Sequence, residues 1–131
     1  LTDGNWAAWK GSIYYQASPL DEPTDFAMWF AVRSVGITIY EAHDIVVQNL
    51  KVRHFRIDGV NAHDRCNNIL LQNVTAEENG RAGVTAAGTS LVTIKESTIK
   101  NNRLYSVLIL EKAGVQIDEK SEVAPAPKIA D

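Results

Sequence analysis

A repeat of about 23 residues is the feature of this sequence that most restricts its fold. Four segments share one apolar pattern, and their second residues are spaced 24, 23 and 23 positions apart. The segments are DIVVQNLKV (44–52), NILLQNVTA (68–76), LVTIKESTI (91–99) and GVQIDEKSE (114–122). A second series interleaves with the first and opens at Gly36, Gly59, Gly83 and Ser106. Two ladders with one period predict a chain of stacked structural repeats.

Apolar residues alternate within each segment, as they do in a strand with one buried face. The inward residues expected of the two ladders are Ile37/Ile39, Val60/Ala62, Val84/Ala86, Val107/Ile109 and Ile45/Val47, Ile69/Leu71, Val92/Ile94, Val115/Ile117. Few helix signals lie between the strands, so a sheet of βαβ units is not expected. Stacked coils would bury a continuous core that one coil alone could not bury.

Length and charge exclude several classes of protein. The 131 residues suit one domain with a real core, and the 45% hydrophobic and 22% charged content is ordinary for a globular protein. A net charge of −3 supplies no basic field, so nucleic acid is not an expected partner. The longest apolar run, FAMWFAV, is far too short to span a bilayer, and the single cysteine rules out an internal disulfide.

The G-[IV]-x-[IA]…[IV]-x-[ILV]-x-N coil resembles the right-handed parallel β-helix family of pectate lyases and polygalacturonases, over roughly residues 31–122. The resemblance implies an all-β, right-handed parallel β-helix with rungs of about 23 residues, and the handedness comes from the resemblance alone. It also implies a polysaccharide or glycan partner and an extracellular or periplasmic location.

The N-terminal residues 1–30 break the period and are expected to form an irregular, aromatic-rich cap over the open end of the solenoid. Alternatively, WKGSIYYQ is an earlier rung with a loop inserted after it. The segment holds Trp6, Trp9, Trp29, Tyr14 and Tyr15. Aromatic side chains so close together can also stack on sugar faces.

The C-terminal residues 123–131 are rich in Pro and Ala, and the sequence predicts a tail or linker there. No apolar cap follows Ile117, so end-to-end self-association or pairing with flanking sequence is expected at that end. The chain opens at Leu1 without an initiator Met, which suggests a removed leader or a piece of a longer protein.

Stacked polar residues are expected at the bends of the coil. Asn49 should lie over Asn73 in an asparagine ladder, with side chains hydrogen-bonded along the solenoid. Gly36, Gly59 and Gly83 open strands after a bend, where a missing Cβ would ease the turn.

Register brings a group of polar residues to one outward face. Positions two and four of each rung should face outward, and neighbouring rungs lie about 4.8 Å apart. Tyr40 should therefore lie beside His63, and Glu41 beside Asp64, with Asn61 on the same face. Thr85 and Leu108 occupy equivalent outward positions on later rungs.

These residues are candidates for acid/base chemistry on a uronic acid, with His63, Tyr40, Asp64 and Glu41 as catalytic groups. Proton abstraction beside a sugar carboxylate requires a base, an acid and a group that neutralises the carboxylate. Histidine titrates near neutral pH and can serve as either base or acid.

Further polar residues are candidates for binding. Asn61 could contact the ligand, and Arg33 and Arg56, which share a column with Arg103, could hold an anionic sugar; paired surface arginines are the plainer interpretation.

The sequence indicates no definite cofactor, although Glu41 with Asp64 is compatible with Ca²⁺, which relatives of this fold bind through acidic bends. A transition-metal site built from His43, His54 and His63 is not expected, because register places the three at different points around the coil.

The segment DGVNAHD is also similar to the YG-x-DPHD signature of the mannuronan C5-epimerases. His63 matches the catalytic histidine of that family, whereas Asn61 stands in place of its aspartate and Asp58 in place of its tyrosine. Ala87 replaces a second catalytic aspartate one rung later. These departures argue against the epimerase mechanism here.

Two functions therefore follow from the sequence. The favoured one is a non-catalytic or vestigial carbohydrate-associated β-helix domain within a larger extracellular protein, because the turns are short and the motif is altered. The alternative is a polysaccharide lyase, hydrolase or epimerase that acts on an acidic glycan through the Tyr/His/carboxylate face. Convergence of two carboxylates with an Arg or Lys in one concavity would favour the enzyme, and a flat ladder would favour the module.

Overall fold

A computed structural model describes residues 4–22, 25, 28 and 30–130 of the chain. Its contacts divide the chain into two compact units, residues 1–30 and residues 31–131. The described part of the chain is almost entirely strand and turn, and it holds no helix of the length and apolarity that a membrane crossing requires.

The second unit is a parallel β-solenoid. Its strands are β3 (Val35–Tyr40), β4 (His43–Arg53), β5 (Asp58–His63), β6 (Asn67–Glu77), β7 (Ala82–Ala86), β8 (Leu91–Lys95), β9 (Thr98–Lys100), β10 (Tyr105–Leu110), β11 (Gly114–Ile117), β12 (Glu122–Val123) and β13 (Lys128–Ala130). One sheet has the order β13-β10-β7-β5-β3, and the other runs β11-β8-β6-β9-β12 with β4 also paired to β6. Every pairing among these strands is parallel, which is the topology of a coil that returns to the same face once per rung.

The predicted register is confirmed at both ladders. Ile37 pairs with Val60 and Val60 with Val84, so the first ladder stacks residue on residue. In the second ladder, Ile69 joins Ile45 on one side to Val92 on the other. Val60, Val84, Ile94 and Leu71 are fully buried, because the stacked coils share one apolar interior.

A third inward column was not predicted. β4 and β6 run past a bend at Asn49 and Asn73, and their second halves add Val52 and Ala76 to the interior. β9 continues this column with Ile99, which is also fully buried. Three apolar columns per coil therefore enclose the core.

Left-handed backbone conformations mark the bends. Asn49 and Asn73 have φ values of 58° and 50°, and the Asn73 amide donates to Oδ1 of Asn49 at 2.8 Å, as the predicted asparagine ladder requires. Gly88 has a φ of 70°, and a Cβ there would lie 2.3 Å from the Asp64 carbonyl oxygen. The bend at Gly88 therefore admits only glycine without rearrangement.

The reason for glycine at the rung openings differs from the expected one. Gly59 is not in the left-handed region, so no turn requires it. A Cβ on Gly59 would instead lie 2.7 Å from the Gly83 carbonyl oxygen and 2.8 Å from Nδ2 of Asn79. Close approach of the neighbouring rung and of a buried amide, rather than a turn, excludes a side chain here.

A buried asparagine ladder stabilises the interior and was missed by the sequence reasoning. Asn79 accepts from the backbone N–H of Phe55 at 3.2 Å and donates to Oδ1 of Asn102 at 2.9 Å. Asn102 in turn donates to the carbonyl oxygen of Ala76 at 2.9 Å. These bonds satisfy backbone groups at the bends that water does not reach.

The C-terminal segment continues the solenoid where the sequence suggested a tail. Val123 lies in β12, which pairs with β9, and β13 pairs in parallel with β10. The Ser106 hydroxyl donates a hydrogen bond to the carbonyl oxygen of Pro125, which fixes the chain between the two strands. Residues 122–130 therefore add part of a further rung.

The first unit contains a two-stranded antiparallel hairpin of β1 (Trp6–Trp9) and β2 (Ser12–Tyr15). Lys10 and Gly11 both have positive φ values, 48° and 78°, which suit the tight turn between the strands. Trp6 and Trp9 project from opposite faces and are exposed, and the Lys10 ammonium lies 4.4 Å from the ring centroid of Trp9. Trp29 lies outside the described residues.

Candidate functional site

Tyr40 and His63 form an aromatic pair at the ends of β3 and β5. The two residues are in register, as predicted, and their ring centroids lie 4.8 Å apart with the planes tilted by 55°. The Tyr40 side chain is 55% exposed, so much of its ring is available to a ligand. We call this pair the Tyr40–His63 platform.

Charged side chains surround the platform at the following bend. Glu41 and Asp64 both have left-handed φ values, 44° and 71°, which turn the chain sharply after each strand. Glu41 accepts a hydrogen bond from Nη2 of Arg65 at 2.7 Å, and Nδ1 of His63 lies 3.5 Å from Oδ2 of Asp64. Arg65, which the sequence reasoning did not single out, therefore borders the platform.

The electrostatics at Tyr40 reflect these neighbours. The negative charges of Glu41 and Asp64, together with a side-chain hydrogen bond to Asp64, raise the pKa of the Tyr40 phenol. Arg65 acts in the opposite direction as a smaller effect. Glu41 in turn raises the pKa of the Arg65 guanidinium, since their ion pair stabilises the charged form.

Asn61 lies on the same strand as His63 but is bound to a different group. Its Nδ2 donates to Oδ2 of Asp58 at 2.8 Å. Arg81 donates to the same carboxylate through Nε at 2.9 Å and Nη2 at 2.6 Å. Asp58 is 0% exposed, so this cluster of Asp58, Asn61 and Arg81 is a buried polar contact beneath the face rather than an open site.

Two later outward positions are shielded. Thr85 pairs with Asn61 on one side and Leu108 on the other, and it is 1% exposed. Leu108 is also buried, because β13 brings Lys128 into the same column. The platform and its bend are accessible on this face, together with Thr38 on the first rung and Lys128 on β13.

Arg33 and Arg56 are not brought to the platform. They lie on adjacent rungs, as the backbone N–H of Arg56 donates to the Arg33 carbonyl oxygen at 2.9 Å. They precede β3 and β5, whereas Tyr40 and His63 end those strands, a separation of about 16 Å along a six-residue strand. Gly80 occupies the equivalent position on the third rung, so the column has no arginine between Arg56 and Arg103. The Arg56 guanidinium donates a hydrogen bond to Ser34 Oγ at 2.8 Å.

The histidines lie apart, as register indicated. Nδ1 of His43 is 2.8 Å from Oδ2 of Asp44, and Nε2 of His54 is 2.5 Å from Oε2 of Glu78. Within the described ranges, no three His, Cys, Asp or Glu side chains come together in a group that could hold a metal ion. Calcium between Glu41 and Asp64 would have to compete with Arg65 for the Glu41 carboxylate.

Short turns leave the face flat. From β3 to β11, the connections range from two residues, as at 41–42, to four, as at 54–57. Such turns cannot fold over the strands to wall a cleft. The platform is thus an open surface, and its charged groups contact one another at the rim.

The family model described as the right-handed β-helix region matches residues 11–122, which is well over half of the chain. The chain belongs to the right-handed β-helix family. Its coil is therefore right-handed, as the sequence resemblance implied. No curated protein and no solved structure matches the chain.

The structure shows what the polar residues of the DGVNAHD segment contact. Asn61 donates to Asp58, and Asp58 also accepts from Arg81. These two side chains serve the packing of the β-helix face, and only His63 of the segment's matched positions lies on the platform. The sequence offers one signal for the contact of Arg81 with Asp58, which is that the two residues are 23 positions, or one rung, apart.

Proposed function

We propose that this β-helix domain is a non-catalytic carbohydrate-binding module, and that its glycan stacks on the Tyr40–His63 platform. The observation that carries the proposal is the tilted pair of rings at 4.8 Å, exposed at Tyr40 and half-buried at His63, on an otherwise flat ladder. Aromatic rings with a polar edge combine apolar area with hydrogen bonding, which suits the two kinds of surface that a sugar presents.

The surroundings of the platform favour binding over turnover. General acid/base catalysis depends on groups whose environment tunes their protonation and excludes water. Glu41, Asp64 and His63 are each more than a third exposed, and Glu41 is neutralised by Arg65. Exposed groups that are already paired with one another can contact a ligand and keep the surface soluble. They lack the desolvation that a proton relay requires.

A second candidate is the lyase, hydrolase or epimerase on an acidic glycan. The observation in its favour is the placement of a phenol, an imidazole and a carboxylate side by side, with the Tyr40 and His63 rings 4.8 Å apart and Nδ1 of His63 3.5 Å from Oδ2 of Asp64. The two functions differ in whether a glycan that binds at Tyr40 is also converted.

Calorimetric titration of neutral and acidic soluble glycans, followed by analysis of the products, tests the proposal. Tyr40→Ala removes the platform, and Val46→Ala is the matched control because Val46 is 56% exposed on β4. We expect a glycan whose binding is lost in Tyr40→Ala, is retained in Val46→Ala, and leaves the glycan unchanged.

Two other results contradict the proposal. Unsaturated or epimerised product that disappears in His63→Ala would make the platform an active site. Binding that Tyr40→Ala leaves intact would place the surface elsewhere, and loss of that binding in Trp9→Ala would assign it to the hairpin of the first unit.

A further inference from the structure

We infer that the platform selects a neutral glycan over one that carries uronic acid groups, an inference that rests on the proposed function. The balance of charge along the bend beside Tyr40 and His63 supports this selection. Two carboxylates, Glu41 and Asp64, lie at the bend next to the rings, each in the left-handed conformation. Arg65 pairs with Glu41, so two negative charges and one positive charge border the rings, a net charge of −1.

The arginines on this face are already committed to protein carboxylates. Arg65 donates to Glu41 at 2.7 Å, and Arg81 holds Asp58 through two hydrogen bonds. A uronate carboxylate would need a guanidinium in that two-pronged geometry for specific recognition. It would have to displace Glu41 or the buried Asp58 to obtain one.

The remaining hydrogen-bonding capacity beside the rings consists largely of acceptors. Each ionised carboxylate has about four lone-pair sites. Glu41 uses one on Arg65, and Asp64 lies 3.5 Å from Nδ1 of His63. Free lone pairs on exposed carboxylates accept from sugar hydroxyls, whereas they repel the carboxylate of a uronic acid. The raised pKa of the Tyr40 phenol reports the same negative potential at the ring.

A cationic amino sugar is a poorer fit than a neutral one. Arg65 already occupies the position over Glu41 that an ammonium group would take. An ammonium group would have to displace Arg65 to reach the Glu41 carboxylate. Hydroxyl contacts with the carboxylates and stacking on the rings remain as the main interactions.

The test compares oligogalacturonate with its fully methyl-esterified form, because the two share one sugar chain and differ in charge. Repulsion of one exposed charge at contact distance corresponds to about a fivefold difference in affinity at low ionic strength. We expect the ester to bind about fivefold more tightly in low salt, and we expect the difference to vanish at high salt. Binding of the ester should change little with salt.

Charge variants locate the selection. Glu41→Gln with Asp64→Asn should abolish or reverse the preference, because Arg65 is then released. Glu78→Gln with Glu122→Gln is the control, since both carboxylates are exposed and paired on other turns of the coil. The control should keep the preference for the ester.

Tighter binding of the acid form, a preference that survives Glu41→Gln with Asp64→Asn, or failure of both forms to bind would each overturn the inference. Tighter binding of a deacetylated amino-sugar oligomer than of the ester would do the same. The proposed function is decided separately by the loss of glycan binding in Tyr40→Ala, so the inference can fail while the module stands.

Discussion

Arg81 and Asp58 form a two-pronged ion pair across neighbouring rungs, with Nε and Nη2 of the guanidinium 2.9 and 2.6 Å from the two carboxylate oxygens. The carboxylate is 0% exposed, while the arginine side chain remains partly open to solvent. Asn61 adds a third donor to the same carboxylate. This contact ties the strand that carries His63 to the next coil, so the position of the platform depends on it.

The first prediction concerns that ion pair. Arg81→Met leaves the buried Asp58 with only Asn61 as a side-chain donor, and it should lower the free energy of unfolding by about 2–3 kcal/mol, below the range for fully buried pairs because Arg81 is partly solvated. Urea denaturation measures the loss. Lys120→Met breaks the exposed pair with Glu96 and should have little effect. Equal effects of the two variants would contradict the account.

The second prediction concerns a hydroxyl group without a partner. Oγ1 of Thr85 is buried and has no hydrogen-bond partner among the described residues. Thr85→Val should therefore leave stability unchanged or raise it, because an apolar isostere no longer carries the desolvation cost. Ser90→Ala is the contrast, since the Ser90 hydroxyl accepts from the backbone N–H of Cys66 at 3.2 Å. Thermal denaturation should show a loss of about 1–2 kcal/mol for Ser90→Ala alone.

The third prediction compares the two asparagine ladders. Asn79→Ala removes a buried amide that bonds to Phe55, Val52 and Asn102, and it should cost about 2–4 kcal/mol by leaving backbone groups unsatisfied. Asn73→Ala removes an exposed ladder contact with Asn49 and should cost much less. Chemical denaturation of both variants ranks them, and the reverse order would show that the outer ladder is the main support of the coil.

The fourth prediction concerns the phenol at the platform. Glu41 is the largest cause of the raised pKa of Tyr40, since a nearby negative charge opposes formation of the phenolate. Glu41→Gln should therefore shift ionisation of Tyr40 to lower pH. Phenolate absorbance measured against the Tyr40→Phe variant isolates this residue from the other tyrosines. An unchanged or upward shift would mean that Glu41 does not face the ring.

The repeat made most of the solenoid predictable. Residues such as Ile69 and Val92 are one repeat apart in the sequence and stack on each other in the structure. They do so because a coil of constant length returns each position to the same face. The third column at Val52, Ala76 and Ile99 was missed. Val52 and Ala76 lie in the parts of β4 and β6 that follow a bend, and Ile99 lies in β9, which has only three residues. The segment at Lys128–Ala130 was interpreted as a tail because a three-residue strand has no periodicity of its own.

The site was predictable only as far as backbone register determines it. The contact between Tyr40 and His63 follows from stacked strands, and the structure places it where register indicated. The pairing of Glu41 with Arg65 depends on which way long side chains turn at a bend, and neighbouring backbone positions do not determine this. Burial of Thr85 depends on Leu108 and the added strand β13, which the sequence did not indicate.

The most direct test of the central claim is an NMR titration of the isotopically labelled chain with methyl-esterified oligogalacturonate. The claim is that a glycan binds on the rings of Tyr40 and His63. We predict saturable shifts of the ring signals of these two residues, with smaller shifts at Glu41 and Asp64. Unmoved signals at Tyr40 and His63, with shifts confined to the Trp6 and Trp9 hairpin or with none at all, would contradict the claim.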